Sequence, residues 1–378
     1  MLWRFKRRTP TQPAVDKVDE TIKTDRGELY GIQMLRALAA LAVVTHHTLE
    51  QSNGSQRRFS PDWLTTSGAS GGDIFFVISG FIMLYVSFPQ KRAPITAGSF
   101  LLRRTTRIYP FYWVCCLSML LILAAGFLKH HHSSRYDYFA SLLLLPGCNK
   151  LIYVSWTLVY EMYFYLIFAA TLPFRSVSIS VVGSTATIVC LTLAGYLLPA
   201  GSSQSFLKNP IPLEFCMGLW LAWAFLQRRR AGEHWPIHFI VCFIAFGLLA
   251  VSPLFVSHPN TNGLPSLTRV FIWGVPAIFI VAAFLQIGPP RGRITRFLVL
   301  LGDASYALYL THSFVMIGYG WLIESSAIGR YDQLFVVPFM IVTSIIVALL
   351  AHLIIERPLL AMVRVLTQRQ RRLVVSLP

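Results

Sequence analysis

Charge is what this sequence most lacks. Only 13% of its 378 residues are charged, about half of the roughly 25% usual in soluble globular domains. Apolar runs of about 20 residues take the place of that charge, and 55% of the chain is hydrophobic, which excludes a soluble domain and predicts an all-α polytopic membrane protein. Acidic residues are the scarcer sign: 16 Asp and Glu stand against 33 Lys and Arg, for a net charge of +17. The basic residues fall between the apolar runs, where the positive-inside rule puts them, so nucleic acid is excluded as a partner. The six cysteines (Cys115, Cys116, Cys148, Cys190, Cys216 and Cys242) contain no CxxC pair, and five lie in apolar runs. Neither a disulfide framework nor a zinc site is expected from them. A cleavable signal peptide is not expected either, because the basic leader is too long and further apolar runs follow. No internal repeat and no appended soluble domain is visible.

The chain divides into three parts. Residues 1–28 read as a disordered basic cytoplasmic leader. Residues 29–358 form the transmembrane domain. Residues 359–378 place Arg364, Arg369, Arg371 and Arg372 among apolar residues, as in a basic amphipathic tail on the cytoplasmic membrane surface. About ten transmembrane helices are predicted, at 31–49, 71–88, 108–128, 151–172, 177–198, 211–227, 236–256, 268–288, 298–322 and 333–355, with residues 138–145 as an interfacial helix. Ten spans put both termini on one side. With the N-terminus inside, 24 Lys and Arg fall on the inner segments and 8 on the outer ones, Arg36 being the remaining one of 33. That bias predicts an N-in, C-in orientation.

Gly31 to Glu50 organises the chain. Its run Ala37–Val44 is wholly apolar, preceded by Arg36 and closed by His46 and His47. Eleven helical residues turn about 1100°, so Arg36 and His47 lie within about 20° of one face and about 16 Å apart, whereas His46 points about 80° away. Ionisable groups at membrane depth are costly and mark function by default. Arg104 and Arg107, three apart, share a helix face and suit phosphate oxygens, or else lipid phosphates at a membrane flank. Asp73, opening the second span, is expected to pair with something; Ser79 behind it belongs to a small-residue packing stretch or to the site. On the fourth span Trp156 lies near the outer interface and Glu161 about two turns deeper, near the depth His47 reaches from the other side. Glu161 is therefore placed to orient the imidazole, as general-base catalysis requires, or to form a structural pair with it. Tyr165 belongs to the same aromatic-rich stretch. Tyr309 and His312 lie on the ninth span, where a lone His otherwise satisfies a backbone carbonyl. No His, Asp or Glu cluster has ligand spacing, and His130, His131 and His132 lack partner acids, so no metal is expected.

Six stretches occur in fixed order: Arg36-x10-His47, GGDIFFVISGF at 71–81, RRTTRIYP at 103–110, WTLVYEMYFY at 156–165, GDASYALYLTH at 302–312 and ERP at 356–358. Together they resemble the membrane-bound acyltransferase-3 family, and the Trp-Thr-Leu-x-Tyr-Glu-Met form resembles its exopolysaccharide-production (ExoZ-type) sugar O-acetyltransferases. Many relatives carry two acids in a row where this chain has Glu161 and Met162, so a role resting on a second acid does not carry over. The resemblance implies an integral plasma-membrane enzyme of the bacterial inner membrane. It would move an acyl group, most often acetyl from acetyl-CoA, to a sugar hydroxyl of a surface glycan or its lipid-linked precursor. It implies Arg36, Arg104 and Arg107 as donor-binding residues, with His47 and Glu161 as the catalytic pair. Asp73, Ser79, Trp156, Tyr165, Tyr309 and His312 would contact substrate or support the site. Partners would be the glycan acceptor and membrane lipids, and a homo-oligomer is compatible with the sequence. Two routes stay open: deprotonation of the sugar hydroxyl by His47, or acyl transfer through His47 itself.

The rival reading is a transporter or flippase for a glycan precursor, with Arg36, His47, Glu161 and His312 as a relay. The repeated halves and broken helices that such proteins often show are not evident in the sequence. The charge bias predicts that reporter fusions or cysteine labelling at Pro378 find it on the cytoplasmic side; an extracytoplasmic signal there would overturn the orientation.

Overall fold

The computed structural model describes residues 29–54, 60–89, 93–127, 134–146, 151–199, 201–231, 239–255, 266–325 and 333–375. The 1–28 leader and the His130–His132 triplet lie outside these. Among the described residues every regular element is helical, and all ten predicted apolar segments fall on helices. The principal helices are α1 (Tyr30–Gly54), α2 (Asp62–Ser67), α3 (Gly71–Ser87), α4 (Ala97–Ala124), α5 (Arg135–Leu142), α6 (Trp156–Thr171) and α7 (Val177–Gly195). They continue with α8 (Ser202–Leu207), α9 (Pro212–Arg230), α10 (Phe239–Val251), α11 (Ser266–Arg269), α12 (Val275–Phe284), α13 (Arg293–Asp303), α14 (Ser305–Ser325), α15 (Gln333–Ala351) and α16 (Arg357–Val375). Five-residue π turns, Val270–Gly274 and His352–Glu356, join α11 to α12 and α15 to α16.

Among the described residues, length and composition qualify six helical stretches as candidate membrane spans, or seven if α13 and α14 count as one. The expected count of ten is larger, for three reasons of residue type. α1 carries Arg36, two histidines and Glu50; α9 ends in Arg228, Arg229 and Arg230; α10 is only 13 residues long. The ninth predicted span is also not straight: α13 and α14 meet at 76°, so a broken helix, which the sequence did not make evident, is present. The break falls at Ala304, the C-cap of α13, whose N–H turns back to the carbonyls of Gly302 and Leu300.

α1 lies at the centre and touches α2, α3, α12, α13, α14 and α15. Its alanine-rich run favours helix and is buried, with Leu35, Ala37, Ala39, Ala40 and Val44 at 1% exposure or less. An enclosed helix meets other helices rather than lipid, so it can hold charged groups that a lipid-facing helix could not.

Glycine sets the tightest crossing. A Cβ on Gly80 of α3 would collide with the Phe215 carbonyl of α9, and one on Gly218 of α9 with the Val77 carbonyl. The two backbones therefore touch, as in other small-residue helix contacts in membranes. Phe215 stacks on Phe164 at 4.5 Å and meets Phe76 in a tilted contact at 4.9 Å, which joins α6 to the same seam. The short helix expected at 138–145 lies three residues earlier, as α5, capped by a reciprocal Ser134–Asp137 box. Its last carbonyls, which have no partner within the helix, accept from α4. Tyr112 donates to Ser141 O at 2.8 Å, Trp113 to Leu142 O at 3.0 Å and Tyr109 to Leu143 O at 3.0 Å. Gly80→Val or Gly218→Val should prise α3 from α9 and abolish accumulation of folded protein, whereas Gly98→Val, with open space around it, should not. Monodisperse detergent-extracted protein from either crossing variant, measured by fluorescence-detected gel filtration, would refute the seam.

Candidate functional site: an arginine-lined cavity and a histidine cluster

A cavity of about 540 Å³ opens between α1, α3, α4, α6, α13 and α14. Its size is within the usual range for small-molecule sites. Arg36, Arg104 and Arg107 all line it, as do Ser79, Glu161, Tyr165 and Tyr309, with apolar walls from Phe75, Ile78, Ile82 and Leu158. α1 delivers Arg36, whose guanidinium donates to Gln33 Oε1 at 3.0 Å, one helical turn back. α4 delivers the other two. Arg104 lies over the rings of Phe100 at 5.7 Å and Tyr165 at 5.9 Å, which hold its stem against the wall. Arg107, one turn on, is exposed at the same cavity. The helical spacing of the sequence thus brings three guanidiniums to one chamber.

Glu161 is in this chamber and is not beside His47. Its carboxylate accepts from Ser79 Oγ at 3.1 Å and from the Tyr165 hydroxyl. Tyr165 is four residues on along α6, hence on the same face. The acid at His47 is Glu50, whose Oε2 lies 3.2 Å from Nδ1. The expected His47–Glu161 pairing is therefore corrected to His47–Glu50. The i,i+3 spacing on α1 puts that acid one turn from His47 on the same face, a signal the sequence reading passed over.

His47 also lies outside the cavity lining. Its ring stacks on His312 at 5.4 Å and lies 4.7 Å from His46. His312 in turn contacts Tyr309 at 6.1 Å, so a file of rings links the cavity wall to His47. The Tyr309 hydroxyl closes that wall, donating to Val154 O at 2.6 Å and lying 2.8 Å from Thr157 Oγ1. His312 meets the expectation for a lone histidine only in part. Nδ1 donates to Leu308 O at 3.0 Å, but Nε2 is buried without a hydrogen-bond partner.

Asp73 and Trp156 form a separate cluster. Asp73 is fully buried and binds Arg269 through both oxygens, at 2.8 and 2.9 Å. The Arg269 guanidinium lies over the Trp273 ring at 4.9 Å and the Trp156 ring at 5.6 Å. Neither Asp73 nor Trp156 lines the cavity, so both support the fold around it. Arg269 was missed as the partner, although a lone cation at the edge of an apolar span was a readable signal. Glu214 was missed too; its buried carboxyl oxygens meet no hydrogen-bond donor among the described residues.

These elements define a multi-pass helical membrane protein with an internal, arginine-walled cavity. The chain belongs to the acyltransferase-3 family, whose acyltransferase domain matches residues 29–353. It is similar to the exopolysaccharide production protein ExoZ of Rhizobium meliloti (strain 1021), at 28% identity over 305 residues, covering 78% of this chain and 90% of that protein. It is also similar to the acyltransferase MdmB of Streptomyces mycarofaciens, at 24% identity over 365 residues, covering 86% and 89%. No solved structure matches it. The protein is accordingly a membrane acyltransferase.

Removing one member of a buried ion pair leaves the other charge uncompensated and typically costs about 3–5 kcal/mol. Arg269→Met should therefore lower the unfolding midpoint in detergent sharply. Asp73→Leu combined with Arg269→Met should recover much of the loss, because no lone charge remains. A single Arg269→Met variant as stable as the parent would show the pair to be dispensable.

Proposed function

We propose that the protein is an acetyl-CoA-dependent O-acetyltransferase that acylates a sugar hydroxyl of a surface polysaccharide or its lipid-linked precursor. The observation that carries this reading is the convergence of Arg36, Arg104 and Arg107 on one largely apolar cavity. A coenzyme A thioester is a polyanion attached to a long, mostly uncharged arm. Guanidinium forks suit its phosphates, and the apolar wall suits the arm. Glu161, fixed by two donors, can accept from an amide of that arm. The similarity to a protein named for exopolysaccharide production supports a glycan acceptor. The 24-to-8 distribution of basic residues supports a cytoplasmic mouth for the cavity and about ten spans with both termini inside; placement in a bacterial inner membrane follows from the same reading.

In this mechanism the thioester end of the donor lies towards Tyr309, and the acceptor hydroxyl approaches His47. Nδ1–H of His47 donates to Glu50, which leaves Nε2 to take the hydroxyl proton. The sugar oxygen attacks the thioester carbonyl. The carbon–sulfur bond breaks, the imidazolium returns the proton to the departing thiolate, and free coenzyme A and the ester result. Glu50 stabilises the imidazolium between these two proton transfers.

The test is acylated product formed from acetyl-CoA and polysaccharide by purified protein. His47→Ala should lose about 10²–10⁴-fold in rate, the usual contribution of a general base. Arg104→Ala should raise the donor KM about tenfold to a hundredfold with little change in kcat, as expected from one lost charge-assisted phosphate contact. Undiminished transfer by His47→Ala would refute the mechanism. Absence of transfer from any acyl thioester by the parent would refute the function.

A further inference from the structure

Sequence spacing gave no reason to expect a metal, yet the fold gathers one set of groups that could hold one. One ligand atom each from His46, His47 and Glu50 lie within 4.8 Å of one another. Glu50 Oε2 is 3.2 Å from His47 Nδ1 and 3.8 Å from His46 Nε2. Zinc bonds to imidazole nitrogen and carboxylate oxygen are about 2.0–2.2 Å, so neighbouring ligands of a tetrahedral site are about 3.3 Å apart. The carboxylate already stands at nearly that separation from both rings.

Two further observations point the same way. His46 is buried, and its Nδ1 donates to the Thr65 carbonyl at 2.6 Å. That bond fixes the tautomer and turns the Nε2 lone pair towards Glu50, the outer-shell arrangement that metal-binding histidines commonly have. His312 is fixed in the same way by Leu308 O, and its buried Nε2 has no hydrogen-bond partner while its ring lies against His47. Two imidazoles and a carboxylate, with His46 locked as a neutral Nε2 donor, make a nitrogen-rich set suited to zinc and related transition metals rather than to magnesium or calcium. Glu50 is half exposed, which gives an ion a way in.

We infer that His46, His47 and Glu50 form a binding site for a divalent transition metal of the zinc class at the end of α1 remote from Arg36. Because the ion would occupy His47, its binding and acyl transfer exclude each other; this consequence rests on the acyl-transfer reading above, whereas the site does not.

The site is tested by isothermal titration with zinc of chelator-washed full-length protein. The protein carries no polyhistidine tag, and His130, His131 and His132 are replaced by Ser. One zinc per chain is expected, with Kd raised at least tenfold by Glu50→Gln and by His46→Gln. Glu50→Gln alters a half-exposed side chain and keeps its shape, so it remains informative if His46→Gln fails to fold. Absence of zinc binding, or an unchanged Kd in Glu50→Gln, overturns the site. In parallel, zinc should suppress acylated product measured by mass spectrometry, and a chelator should restore it. Zinc that binds stoichiometrically without slowing transfer would instead count against the role given to His47.

Discussion

The constraint on which the rest of this structure depends is the cost of placing a guanidinium and imidazoles on one helix inside a membrane-type fold. α1 carries Arg36 near one end and His46 and His47 near the other, with only small and aliphatic residues between. The arrangement is tolerable because other helices enclose α1 and leave little of it facing lipid. The glycine seam between α3 and α9, the bend at Ala304 and the close approach of Gly302 to the Gln33 backbone all bring neighbours up to that helix. The cavity is the space left beside Arg36 once that enclosure is made.

A second buried charge system holds the enclosure together from the side. Asp73 at the start of α3 is tied to Arg269 at the end of α11, and the guanidinium is roofed by Trp156 from α6 and Trp273 from the π turn. Three stretches distant in sequence, around Asp73, Trp156 and Arg269–Trp273, thus meet on one cation. A π turn follows Arg269 directly; such turns shift the register of side chains and recur at functional sites. Here it carries Trp273 to the guanidinium, with the indole N–H donating to Ser252 Oγ at 2.9 Å.

Much of this was legible in the sequence, for reasons that can be named. Each of the ten predicted apolar runs falls on helix among the described residues, because hydrophobic length survives any tertiary arrangement, although six helices, or seven, qualify as spans. Helical spacing put Arg104 and Arg107 on one face, and both line the cavity with Arg36. What the sequence did not show were the pairings across space. Glu161 and His47 were matched by estimated depth alone; depth says nothing about azimuth, and Glu161 turned to Ser79 and Tyr165. Glu50 was overlooked because it falls just past the span predicted at 31–49, whereas the helix continues to Gly54. Arg269 was tallied as a loop charge, although Asp73 was already expected to have a partner. No proline announces the bend between α13 and α14, and Gly302, two residues before Ala304, reads equally as a small packing residue in an apolar run.

The Tyr309 hydroxyl, turned sideways onto Val154 and Thr157, has a consequence for the cell's energy supply. A continuous polar file from Arg36 to His47 would be a wire for protons across an energised membrane, where each charge gains about 2.3 kcal/mol per 100 mV. The phenol's single proton is committed to the Val154 carbonyl, so a relay from the cavity to the rings beyond would first have to break that bond. A tyrosine turned this way divides the polar groups of the fold into two separate sets, one at the cavity and one at His47, and so opposes proton leakage between them.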